Sequence, residues 1–124
     1  MNIRFVLFLF MMLIISCEKD KDFKYDMNDL IDTEWGVPEI EELAPGVEEY
    51  DKSAPTIFYE NGQVQFGNSR FDSWEVYDSE SLHIFDKQQI WQVIKLTENE
   101  LHVEKLKYPG GSFILRCKYY PMTE

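Results

Sequence analysis

The chain has 124 residues and a mass of 14.8 kDa, enough for one domain and too little for two. At 44% hydrophobic and 15% aromatic residues it can bury a core, which excludes disorder throughout. A formal net charge of −11 repels phosphate backbones and argues against a nucleic-acid partner.

In chain order, the first element is a single charge, Arg4, followed by an unbroken apolar run over 5–15. At ~1.5 Å per residue this run spans about half of a ~30 Å hydrocarbon core, too short for a stable transmembrane helix. A charged start and a short apolar stretch read instead as a secretory signal. The run ends in Ile14-Ile15-Ser16-Cys17, which resembles the lipobox of bacterial lipoproteins: an aliphatic residue, a variable one, a small one, then Cys. That resemblance implies cleavage after Ser16 and a diacylglyceryl group on Cys17, so that the partner at the N-terminus is a membrane. Two or three acyl chains, at ~0.8 kcal/mol per buried CH₂, anchor firmly where one does not. Residues 1–16 are then a signal peptide, 17–26 a lipidated Cys with a charged tether, and 27–124 the folded domain. Glu18-Lys19-Asp20-Lys21-Asp22 has the charge density of a solvated leash. It also resembles the acidic export signal of surface lipoproteins, which implies an outward-facing outer-membrane position, the periplasmic face being the alternative. With Cys17 consumed by lipid, Cys117 has no intrachain disulfide partner and reads as a small buried residue.

A helical turn is expected over 26–31, capped by Asp26 or Asn28. Beyond residue 33 no helical period persists. Two-residue alternation recurs instead, broken by turn residues at the spacing of about 8–12 residues typical of an all-β sandwich or barrel. A first strand is expected over 34–43. The stretch 36–55 carries Pro38, Pro45 and Pro55 with six acidic residues (Glu39, Glu41, Glu42, Glu48, Glu49, Asp51) and reads mostly as a long loop or broken edge strand. Asn61-Gly62 predicts a type I′ hairpin turn. Later strands fall at 72–78, 82–84, 88–96, 101–108 and 112–120. The expected fold is all-β: about eight antiparallel strands in a meander, closed into a barrel because closure removes exposed edges. Alternation assigns Phe58, Val64, Phe66, Trp74, Val76, Leu82, Ile84, Ile94, Leu96, Leu101, Val103, Phe113, Leu115, Cys117 and Tyr119 to the interior. Glu75, Tyr77, Lys95, Arg116 and Lys118 fall outside.

Three pieces of this pattern resemble the lipocalin-like small lipoproteins, a calycin-type barrel group. Leu30-Ile31-Asp32-Thr33-Glu34-Trp35 is similar to the lead-in to the first strand, whose Trp plugs the barrel base. Phe58-Tyr59-Glu60-Asn61-Gly62-Gln63-Val64 is similar to the Phe-x-x-Asn/Asp-Gly-x-Val hairpin. The third piece, 91–101, is similar to an Ile-x-x-Leu-Thr-x-x-x-Leu hairpin. Thr33 stands where lipocalins proper carry the Gly of Gly-x-Trp, so the likeness is to the looser group. It implies a fold and not a task.

The sequence offers little catalytic chemistry. His83 and His102 alternate with apolar neighbours, point outward and lack metal-ligand spacing. Ser81, His83 and Asp86 build no relay. The acids of 36–55 lack the spacing of a calcium loop and read as a solvated face. No catalytic residue, metal ligand or cofactor is assigned, and an envelope hydrolase using unrecognised carboxylates ranks last. The leading expectation is non-enzymatic binding of a small apolar ligand, with Trp35, Trp74, Phe113 and Tyr119 as walls and Gln92 as a polar contact. The alternative is an envelope interaction or inhibitor module acting through the acidic 36–55 loop and the outer aromatics Tyr59, Tyr77, Trp91 and Tyr108. An open interior favours the first and a filled one the second.

Overall fold

The computed structural model of the chain describes residues 23–122. The expected signal peptide, Cys17 and the start of the expected tether lie outside the described residues. The helical turn α1 (Met27–Leu30) forms where expected: Asp26 is its N-cap, and its carboxylate accepts the Asn28 N–H at 2.9 Å. Eight strands follow: β1 (Glu39–Leu43), β2 (Thr56–Phe58), β3 (Gln63–Phe66), β4 (Arg70–Asp78), β5 (Ser81–Ile84), β6 (Gln89–Thr97), β7 (Glu100–Lys107) and β8 (Phe113–Tyr119). They form one antiparallel sheet in the order β1-β8-β7-β6-β5-β4-β3-β2. The meander is as expected from β2 to β8, with β1 returning to pair with β8.

The sheet curls toward a barrel, and the segment before β1 ties its two sides together. Trp35 exchanges backbone hydrogen bonds with Thr56 at 3.0 and 2.8 Å, and Gly36 N–H donates to the Tyr120 carbonyl at 2.8 Å. Glu34 accepts from the Met122 N–H at 2.8 Å. The expected strand over 34–43 is therefore two pieces. Trp35 makes isolated bridges to Thr56 and Pro121, and β1 starts only after Pro38, which has no N–H to give a ladder.

One end of the barrel, the base, is covered by the N-terminal segment. Trp35 and Leu30 are fully buried there, and the Trp35 Nε1–H donates to the Leu30 carbonyl at 3.3 Å. The Tyr25 hydroxyl reaches the carbonyls of Val93 and Ile94 at 3.2 and 3.1 Å. The other end, the mouth, carries the β3–β4, β5–β6 and β7–β8 turns. The register Leu43↔Leu115 brings the end of β1 to this same rim, so the connection 44–55 crosses it as a strap before entering β2.

Inside, aromatic rings meet edge to face. Phe58 lies 5.3 Å from Trp74 and 5.8 Å from Trp91, and Phe66 lies 6.1 Å from Trp91. Trp91 stacks on Tyr119 at 5.7 Å. Such pairs add to the area they bury. Leu82, Ile84, Leu101, Val103, Leu115 and Cys117 complete the core.

Three expectations need correction. First, Asn61-Gly62 does not form a type I′ turn. Only Gly62 has a positive φ (92°), and its N–H donates to the Tyr59 carbonyl at 3.1 Å. The loop is a type I turn closed by a left-handed glycine, and the Asn61 side chain accepts the Gln63 N–H instead, at 3.0 Å. Second, the ladder between β6 and β7 slips: Val93 faces Val103, but Lys95 faces His102, leaving Ile94 as an extra residue. This bulge reverses the phase of β6. Ile94 is 47% exposed, whereas Trp91 and Val93 are buried. Trp91, expected outside, belongs to the core, and Gln92, expected inside, belongs to the outer face. Third, Lys105 pairs with Leu115 and Leu106 with Phe113, so Ile114 is the extra residue of β8. Ile114 packs against the core, and Phe113 stays half-buried outside it.

Candidate ligand-binding site

Along β7, Leu101, Val103 and Lys105 share the inward phase and are all buried. The alternation that places two aliphatic residues in the core therefore places an ammonium there too. Lys105 is 4% exposed. Its Nζ donates to the Tyr119 hydroxyl at 2.7 Å and lies 4.1 Å from the Trp91 ring centre and 5.2 Å from that of Tyr119. These faces attract the cation. Burial, the dominant influence, still pushes the Lys105 pKa down to about 8. The same burial pushes the Cys117 thiol up, and Tyr119 well up.

Two further cations stand above Lys105, on the rim. The β5–β6 turn is shaped by the buried Asp72, whose carboxylate accepts the N–H groups of Ser73, Asp86 and Lys87 at 2.6, 2.8 and 3.2 Å. Gln88 in the same turn has a positive φ of 53°. This geometry holds Lys87 over the Phe66 ring, 4.5 Å from its centre. Arg70 opens β4 beside it.

The strap brings a carboxylate to these cations. Asp51 accepts from Lys87 Nζ at 2.6 Å and pairs with Arg70. The Ser53 N–H donates to the other Asp51 oxygen at 2.8 Å. Burial opposes ionisation of Asp51, but the hydrogen bonds from Lys87 and Ser53 and the Lys87 charge outweigh it, holding its pKa well below the usual carboxylate range. Tyr50, next to it, packs on the core. Among the described residues, 45–54 make one backbone–backbone hydrogen bond, from Val47 N–H to the Ala44 carbonyl at 3.1 Å. The strap is thus held to the barrel mainly by side chains.

The five residues expected to touch a ligand do not converge. Tyr119 belongs to the mouth site through Lys105. Trp74 joins the same aromatic chain through Phe58, but its Nε1–H donates to the Tyr59 carbonyl at 3.0 Å, toward the base. Trp74 also lines a half-open cleft of about 430 Å³ beneath α1, walled by Met27, Ile31 and Val76 and rimmed by Glu60, Glu75 and Asp78. Trp35 is sealed in the base, and Phe113 stands outside the core. Gln92 lines an open groove on the outer face with Ile94, His102 and Arg116. The residues that sequence reasoning missed are Lys105, Lys87, Arg70 and Trp91. For Lys105 the signal was present, since it continues the inward phase of Leu101 and Val103. For Lys87 and Arg70 no local pattern distinguishes them from solvated charges.

The acids of the 36–55 stretch are partly committed to internal pairs. Glu41 and Glu42 meet Arg116 at 3.7 and 2.9 Å, and Glu41 also meets Lys118 at 3.3 Å. Among the described residues no group of three His, Cys, Asp or Glu is placed to hold a metal ion. On the outer face Tyr77, His83, Phe85 and Tyr108 form one cluster: His83 lies 4.3 Å from Phe85, 4.4 Å from Tyr108 and 6.0 Å from Tyr77. Tyr77 is 50% exposed. Tyr59, expected in this patch, instead donates its hydroxyl to Gln65 at 2.7 Å. Comparison of the chain with family models, curated proteins and solved structures finds no match.

Proposed function

We propose that this chain is a lipid-anchored envelope protein of lipocalin-like form that binds a small, largely apolar molecule at the mouth of its barrel without transforming it. The signal-like N-terminus and the Ile14-Ile15-Ser16-Cys17 motif support the anchor, and the charged residues after Cys17 support an outward-facing outer-membrane position. The observation that carries the binding reading is a buried polar pair, Lys105 and Tyr119, set among aromatic rings beneath a strap that is scarcely tied down by its backbone. Apolar walls with one or two placed polar groups are the ordinary make-up of a small-molecule site. The two clefts described lie away from this interior, which is packed with side chains, the state expected to favour surface interaction. The ligand reading stands on the buried Lys105–Tyr119 pair, and a ligand would enter by displacing Tyr50 and the strap. Native mass spectrometry of the protein released from its own envelope tests the reading. A retained small molecule, lost when Trp91 is replaced by Gln, is the expected result. A spectrum holding the protein mass alone, from material never exposed to organic solvent, would defeat it.

The exposed cluster of Tyr77, His83, Phe85 and Tyr108 favours a second reading, a docking face for an envelope protein, because contiguous exposed aromatics mark interaction surfaces. A partner that co-purifies with the wild type and is lost from the double variant Phe85→Ser, Tyr108→Ser would support it.

A further inference from the structure

A buried ammonium has three N–H donors, and Lys105 uses one of them on the neutral Tyr119 hydroxyl. Among the described residues no carboxylate pairs with it. Buried charges in proteins are as a rule paired, because removing an ion from water costs several kcal/mol. Here β7, the β5–β6 turn and the start of β4 supply three cations, Lys105, Lys87 and Arg70, within a chain whose net charge is −11. The ion-pairing carboxylate at this end, Asp51, is not part of the wall. It arrives on the strap, next to Tyr50, which packs against the core. The neighbouring Asp72 is occupied by three backbone N–H groups.

A carboxylate paired with Lys87 and Arg70, beside an aromatic ring packed on the core and with the unpaired Lys105 beneath, describes an intramolecular ligand. We propose that the molecule taken up at the mouth is a small amphipathic carboxylate, and that Asp51 and Tyr50 hold the places of its carboxylate and its apolar body until it binds. This inference rests on the interior-ligand reading above and adds the ligand's charge. The incoming carboxylate pairs with Lys87 and Arg70, and its second oxygen turns inward toward Lys105, with which Asp51, its other oxygen held by the Ser53 N–H, forms no ion pair. An uncharged ligand would leave Lys105 as it is and strand Lys87 once Asp51 lifts away.

The test uses the full lipidated chain in phosphatidylcholine nanodiscs, which offer no competing anionic lipid. Calorimetric titrations with phenylbutyrate and with its uncharged counterpart phenylbutanamide are compared, with empty nanodiscs as the blank. The wild type is expected to favour the carboxylate by at least about tenfold, because a desolvated charge pair is lost with the amide. Asp51→Asn removes the internal competitor and tightens phenylbutyrate by about tenfold or more, leaving the amide unchanged. Lys105→Met and, separately, Tyr119→Phe weaken the carboxylate and erase the preference, while thermal melts check that both variants fold. Equal binding of the two probes overturns the charge assignment and leaves the ligand reading standing. Weaker binding of phenylbutyrate to Asp51→Asn shows that Asp51 belongs to the site and is no place-holder. Failure of phenylbutyrate to bind either wild type or Asp51→Asn overturns the inference, and the ligand reading then falls or survives separately on the mass spectrum of the envelope-derived protein.

Discussion

At the scale of single residues, Lys105 is placed against the stability of the fold. An ordinary lysine ionises near 10.5, and burial lowers Lys105 to about 8. Between these values the unfolded chain keeps a proton that the folded chain has released, so folding becomes more favourable as pH rises through this window. Below pH 8 both states are protonated and the cost of burying the charge is fully present. Lys105→Met, similar in volume and free of charge, is expected to raise stability at pH 7 by ~1–4 kcal/mol. The advantage should shrink steadily as the pH is taken from 8 to 10. The difference in melting temperature between wild type and variant measures this directly. Cys117, whose thiol burial pushes up, acts in the opposite sense above its ordinary pKa of 9, and Lys105 and Cys117 act on each other, so the difference is read most cleanly between pH 8 and 9. A variant less stable than wild type at pH 7 would show that the two ring contacts outweigh desolvation. Natural cores seldom retain a destabilising charge without a use for it.

At the scale of elements, the β-bulges decide what the sequence could reveal. Where the ladder runs without slips, alternation was sufficient: Phe58, Val64, Phe66, Leu82 and Ile84 are buried as expected. The helical turn at 27–30 was legible from its Asp cap and the absence of any continuing apolar period. In β6, however, Leu96 and Ile94 set one phase and Val93 and Trp91 the other, and all four are apolar. Nothing local says which pair owns the core, because the extra residue is chosen by cross-strand partners on β7. The inversion of Gln92 and Trp91 followed from that ambiguity. The misplaced Phe113 has the same origin in the β7–β8 slip. The mouth site was mostly illegible, since Asp51, Arg70, Lys87 and Lys105 are brought together by strand order and by a long connection. The bulge makes a sharp prediction for chemical denaturation. Val93→Asp, a buried carboxylate without a partner, should unfold the domain or cost more than ~4 kcal/mol. Ile94→Asp, one residue on and exposed, should change stability by less than ~0.5 kcal/mol. Comparable losses in the two variants would place the slip elsewhere.

At the scale of the whole molecule, the proposal combines a barrel with an anchor, and each half can be tested without the other. Cys17→Ser should leave the thermal melt of the domain unchanged and move the protein from the membrane fraction to the soluble fraction of lysed cells. Persistence in the membrane fraction would require another means of attachment. The wrapping of the N-terminal segment then acquires a meaning beyond packing. Lys24 N–H donates to the Ser79 carbonyl at 2.7 Å and its side chain meets Glu80 at 3.0 Å, which pins the start of the domain to the side away from the strap. Cys17 precedes Phe23 by six residues, and at ~3.5 Å per residue that leash reaches no further than about 20 Å. If Cys17 carries the lipid, a leash of that reach would leave the pole that bears Asp51, Lys87 and Arg70 as the one farther from the bilayer. Cargo would arrive from the aqueous side and depart the same way, and a second protein could collect it without touching the bilayer.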